Sequence, residues 1–244
     1  MMFFFKKSEI HLDCFTSNQR AYELFKIDYA YRFYPEWWKN LPKSTMVDDN
    51  FYPQPTMKTC AGFINHYKNG LMVCMWSDLA IQTDKRGESN YRWRFADESS
   101  LANYHMPGQM DGYMNTDEYS HLKIASPWYF ECKENIQWMV IEPTWHEHTT
   151  DFIVMPGTVD YKYQNATEIN ILIKHMPERR SFLIEAGRPM MHIIPLSEKK
   201  LIIHNHLLTN EEYVNKRKRI DRFKFINEHN TVKRMNMKCP FRGK

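Results

Sequence analysis

Glycine is scarce in this chain, at 8 of 244 residues, roughly half the average share. That shortage argues against a nucleotide-binding fold built on Gly-rich loops. No P-loop, dinucleotide fingerprint, Gly-x-Ser-x-Gly elbow or His-Glu-x-x-His occurs. No stretch reaches about 18 uninterrupted apolar residues, so no transmembrane helix is expected. The five cysteines, Cys14, Cys60, Cys74, Cys132 and Cys239, are odd in number and widely spaced, with no Cys-x-x-Cys pair. This usage points away from a disulfide framework and towards a reducing compartment with thiols buried as small hydrophobes. The first residues, Met1 to Lys7, put the apolar run before the charges, the reverse of a secretion signal. They read as a first strand or an anchored terminus, and no export through a signal peptide is expected.

Aromatic residues are abundant instead. They make up 15% of the chain, with 7 Trp, 14 Tyr and 15 Phe. Each buried ring removes about 150–250 Å² from water, which is enough material for a large core. The overall net charge is +4, but eleven basic and four acidic residues fall from Thr209 onward, leaving the preceding body at −3. The chain therefore divides into a body, 1–208, and a basic extension, 209–244.

Punctuation and period give the elements. Prolines 35 and 42 limit any helix around Glu36 to Asn40 to one or two turns, and Asn18 to Tyr31 has room for another short helix. Residues 44–57 and 97–120 read as loops, the second long enough to be functional. Leu71 to Trp76 is a continuous apolar run after Asn69-Gly70, consistent with a strand buried on both faces. Tyr91 to Phe95 alternates aromatic with arginine, presenting Arg92 and Arg94 on one face. Trp128 to Cys132 and Ile136 to Ile141 flank Lys133-Glu134-Asn135 and read as a hairpin. Further strands follow between residues 152 and 206, broken at Pro156-Gly157, Pro177, Gly187-Arg188-Pro189 and Pro195. About eight to ten short strands with regular turns predict a mainly β protein, a single β-sandwich or jelly-roll-like domain. Thr209-Asn210-Glu211-Glu212 is a capping box opening a helix to about Glu228. On it, Val214, Arg217, Ile220 and Phe223 form the docking stripe, and Lys216, Lys218, Arg219 and Arg222 mostly face outward.

Two His-x-His pairs carry the metal reading: His146 with His148, and His204 with His206. Residues two apart on a strand share a face, so such pairs can offer two imidazoles to one ion. The run His146-Glu147-His148-Thr149-Thr150-Asp151, continuing to Gly157, loosely resembles the metal-binding pattern of cupins. The carboxylate spacing is short and the residue is Asp, and the second cupin motif is scrambled in Gly187 to His192. The resemblance implies an Fe(II) or other divalent metal oxygenase, with His192, His204 or His206 completing the site. The alternative is surface or hydrogen-bonded core histidines; Ile202, His204 and His206 share one face of an apolar strand. Cys60, after Lys58-Thr59, is the one mild candidate for a nucleophilic thiol. Trp37-Trp38 is either a stacking platform or a lid on the core. Lys216, Arg217, Lys218 and Arg219 are candidate phosphate contacts, which would make nucleic acid a partner through the tail.

Several segments occur together and in order. They are Pro35-Glu36-Trp37-Trp38-Lys39-Asn40-Leu41-Pro42, Lys58-Thr59-Cys60, and Gly70 opening an apolar strand that ends near Asp78. Ser126-Pro127-Trp128, Pro156-Gly157-Thr158-Val159-Asp160 and Gly187-Arg188-Pro189 leading to Ile193-Ile194-Pro195 complete the set. On these, residues 30–198 resemble an uncharacterised family common in tailed phages, especially T4-like cyanophages and other marine phages. The resemblance implies a phage or phage-derived origin and a location in the host cytoplasm or the virion. Taken with the aromatic wealth and the absence of a catalytic signature, it favours a non-enzymatic accessory role exercised by binding a phage or host protein. It carries over no catalytic residues.

Overall fold

A computed structural model of the chain describes residues 8–46, 52–85, 91–105, 112–113, 118–146 and 151–218. The expectations placed on the Met1 to Lys7 run, His148, Arg219, Ile220, Arg222, Phe223 and Cys239 lie outside the described residues. The protein is mainly β, with several sheets and a few short helices. Strands and helices are numbered in chain order. The largest sheet runs β11 (Phe152–Val154), β13 (Ala166–Lys174), β9 (Tyr119–Cys132), β1 (Glu9–Thr16), β16 (Lys200–Leu207), with β8 (Leu101–Tyr104) also paired to β9. A second sheet runs β12 (Gly157–Val159), β10 (Trp138–Ile141), β15 (Pro189–Pro195), β5 (Leu71–Cys74), β2 (Asp28–Tyr29). A third runs β14 (Arg180–Ile184), β6 (Leu79–Thr83), β7 (Tyr91–Phe95), and a short ladder joins β3 (Ser44–Thr45) to β4 (Gln54–Pro55). The helices are α1 (Gln19–Leu24), α2 (Glu36–Asn40), α3 (Ala61–Lys68) and a C-terminal helix described over residues 210–218.

One buried cluster draws side chains from the three larger sheets. It includes Leu12, Phe130 and Ile171 from the first, Val73, Trp138 and Ile193 from the second, and Ile81 from the third. Each side chain of this size contributes about 1.5–3 kcal/mol by leaving water. β5 is buried along its whole length, as the apolar run predicts. Leu71 and Val73 enter this main cluster, while Met72 and Cys74 on its other face enter a second, smaller one with Ala30, Phe63 and Tyr67. β7 alternates as expected: Arg92 and Arg94 are exposed and Phe95 is buried.

Three expectations are corrected. Trp128 to Cys132 and Trp138 to Ile141 are not a hairpin. The first belongs to β9, paired with β1, β8 and β13, and the second pairs with β12 and β15 in the other large sheet, so the intervening residues carry the chain between sheets. Part of the 97–120 loop is strand β8, and part of 44–57 is the β3–β4 ladder. A proline inside β9 is accommodated by an irregularity. The register with β13 jumps from Ala166↔Tyr129 to Glu168↔Ala125, so Ser126, Pro127 and Trp128 lie opposite Thr167 alone. Ser126 Oγ accepts the Trp128 amide there at 3.2 Å.

The capping box forms as read: Thr209 Oγ1 accepts from the Glu212 amide (3.2 Å) and Glu212 accepts from the Thr209 amide (2.8 Å). The docking face of the C-terminal helix differs. Tyr213 donates to the Pro127 carbonyl (3.2 Å), and Lys216 turns inward to Glu131 (2.8 Å) and the Phe15 ring (3.7 Å). Val214 stays 44% exposed. Lys216 and Arg217 find a carboxylate and aromatic faces on the sheet, and their long stems lie along it.

Candidate functional site: an aromatic and histidine layer on β5

The small cluster is built by three consecutive devices. Pro35, with φ −59°, opens α2 and sends Trp37 and Trp38 to the same side of the chain as α3. Trp38 is the lid. Its ring stacks on Tyr34 (centroids 4.3 Å) and Phe63 (5.4 Å), and its Nε1–H donates to the Met57 carbonyl at 2.9 Å. Lys58 locks it from above. The ammonium sits 4.1 Å from the Trp38 ring centroid and donates to the carbonyls of Trp38 (3.0 Å) and Lys39 (2.9 Å). A cation at the C-terminal end of a helix and over an indole face is favourable on both counts.

Trp37 is the surface. It remains 40% exposed, contacts Phe63 edge-on (5.6 Å), and donates its Nε1–H to the Trp145 carbonyl at 2.8 Å. Trp145, 43% exposed, meets Phe63 edge-on from the other direction (5.3 Å). Two exposed indoles are thus fixed against one buried ring. The dipeptide Trp37-Trp38 divides between the two roles the sequence left open.

Beneath them lies Tyr67, buried, with His66, His146 and His192 around its ring at 5.4–6.0 Å. Tyr67 Oη has no hydrogen-bond partner among the described residues, and burial raises its pKa. His192 is fully buried. Its Nε2 faces the Asn69 carbonyl at 2.8 Å, and a carbonyl can only accept, so Nε2 carries the hydrogen. Its Nδ1 faces His66 Nε2 at 3.3 Å. Burial first, then the neighbouring His66 and His146, hold its pKa down to about 4. His192 is therefore a neutral imidazole near pH 7. His146 also borders a neighbouring cleft of about 620 Å³ lined by Glu142, Glu185, Arg188, Phe152 and Met190.

Of the predicted metal ligands, His146 and His192 meet at Tyr67, together with His66, which the sequence reading did not single out. His204 and His206 stand elsewhere, on β16 of the largest sheet. His204 stacks on His11 (5.3 Å), and His206 pairs with Asp13 (2.8 Å) and stacks on Phe15 (4.7 Å). They are half-exposed. Among the described residues, no group of three or more His, Cys, Asp or Glu side chains is placed to hold a metal ion. His192 has both ring nitrogens engaged by Asn69 and His66.

The remaining candidates are dispersed. Arg92 and Arg94 project from β7, an edge strand of the third sheet. Lys218 is exposed, and Arg217 lies over Tyr129 at 5.7 Å. Cys60 is half-buried at the start of α3 against the aromatic layer, while burial raises the thiols of Cys14, Cys74 and Cys132. No described helix is long and apolar enough to cross a membrane.

Comparison with protein-family models finds no match. Comparison with curated proteins finds none either. The reading of the site therefore rests on its geometry.

Proposed function

We propose that this chain is a phage accessory protein that works by binding a protein partner of phage or host origin, in the host cytoplasm or on the virion. The phage assignment rests on the sequence motifs between residues 30 and 198. The two large sheets are read as the facing layers of a β-sandwich, supported by the side chains both contribute to one cluster. The binding role rests on one observation: Trp37 and Trp145 are exposed, yet held by a hydrogen bond and a shared buried ring. Indoles that are already ordered lose little entropy on association, and tryptophan is among the residues that dominate binding energy at interfaces.

A photoreactive phenylalanine analogue placed at position 37, compared with one at exposed Leu24 on α1, tests this during infection. The expected result is one defined cross-linked phage or host protein from position 37 alone, lost when Trp145→Ala is added. Identical products from both positions, or none from either, would overturn the proposal.

A further inference from the structure

Tyr29, Tyr31, Lys68, Asn69, Lys199 and Lys200 line a groove of about 480 Å³. Tyr29 and Tyr31 are stacked, with centroids 5.4 Å apart and planes 11° from parallel. Tyr29 is anchored through its hydroxyl, which donates to the Leu201 carbonyl at 3.3 Å. Tyr31 rests one face on it and remains 44% exposed. Lys68 ends α3, and Lys199 and Lys200 lead into β16, so lysines from two elements line one groove. Lys68 and Lys199 have no ion-pair partner among the described residues, and Lys200 reaches Glu9 only at 4.0 Å. The groove holds one carboxylate, Glu198, against three lysines, in a body whose net charge is −3.

We infer that this groove binds single-stranded nucleic acid, a base adding a third ring to the Tyr29–Tyr31 stack while the lysines take the flanking phosphates. A stacking platform beside clustered cations is how single strands are held without sequence preference. An acidic peptide would use the lysines and leave Tyr31 idle, which makes the ring the deciding residue. The site differs from the basic C-terminal helix, and from the Trp37–Trp145 surface, so its failure leaves that reading standing.

The test is fluorescence anisotropy of a short labelled oligothymidylate with the full chain over a salt series. Tyr31→Ala is expected to weaken binding about tenfold or more with an unchanged salt slope, since stacking releases no counterions, and Tyr31→Phe to bind as the parent. Lys68→Gln with Lys199→Gln is expected to lower the log–log salt slope by about 1.4, two phosphate contacts on a single strand. Parental binding by Tyr31→Ala, or an unchanged salt slope for the double lysine variant, would overturn the inference. So would loss confined to Lys218→Gln with Arg219→Gln, which places the contact on the tail. Displacement of the oligonucleotide by an acidic peptide with no effect of Tyr31→Ala makes the groove a peptide site and overturns it as well.

Discussion

Gly70 and Gly187 both adopt positive φ, +85° and +88°, but for unequal reasons. A Cβ on Gly70 would run into the backbone carbonyl of Ile193 and come within 3.1 Å of His192 Nε2. On Gly187 the nearest atom would be the edge of the Phe25 ring at 3.4 Å. Gly187→Ala should therefore cost about the left-handed penalty alone, ~1 kcal/mol, and Gly70→Ala ~3 kcal/mol or more, read from urea denaturation. Equal costs would show that β5 and β15 are not pressed together at this point. His192 gives the pH dependence. Its folded pKa, about 4, lies below the ordinary 6.5, so the unfolded chain binds a proton that the folded protein refuses. Stability is lost as pH falls from about 6.5 to about 4, by up to ~3 kcal/mol. Denaturation midpoints at pH 7 and 5 check this, and His192→Gln, which keeps a donor for the Asn69 carbonyl, should flatten the difference. At this scale the sequence marked His146, His192 and Trp37 as residues of interest. It missed His66 and Tyr67, because they are neighbours on a helix whose role depends on β15 lying beneath them.

Helix α3 shows why some elements were hidden. Its eight residues bury only Phe63 and Tyr67, a single i, i+4 step, too little for a period to declare itself. β5 and β7 were legible because their burial follows a simple rule, both faces in one case and alternate residues in the other. β9 and β10 were misread because sequence proximity favours a hairpin, whereas β9 pairs with β8 before it and with the distant β1 and β13. The capping box was readable because it is entirely local. Thr209→Ala removes the acceptor for the Glu212 amide, and the first turn of the C-terminal helix should lose ~1 kcal/mol. Amide exchange over residues 210–213 should accelerate about fivefold, with β16 unchanged. The same helix docks through Tyr213 and Lys216 rather than Val214, since what it meets is a sheet surface bearing Glu131 and Phe15, which helical period alone does not reveal.

Across the whole molecule, the mainly β class follows from the spacing of turns, but the strand order of the largest sheet does not. β1 and β16 pair in parallel from Glu9↔Lys200 to Thr16↔Leu207, and contacts such as His11 to His204 span 193 positions. No local signal foretells them. The same architecture sets how the molecule opens. β5 is shared between a large cluster on one face and a small aromatic layer on the other. The strand itself is retained by β15 and β2, so the aromatic layer can detach while the sheets persist, as a low-stability unit. Phe63 is its hub, touching the rings of Tyr34, Trp37, Trp38, Tyr67 and Trp145. Phe63→Ala should cost about 3–5 kcal/mol within that layer. In hydrogen exchange the α3 amides should then open at much lower denaturant, while β9 and β13 keep their protection. Equal acceleration in β9 and β13 would instead make the layer part of one cooperative core. The expected outcome ties stability to recognition, because the ring that holds the layer on β5 is also the ring that orders Trp37 and Trp145 at the surface.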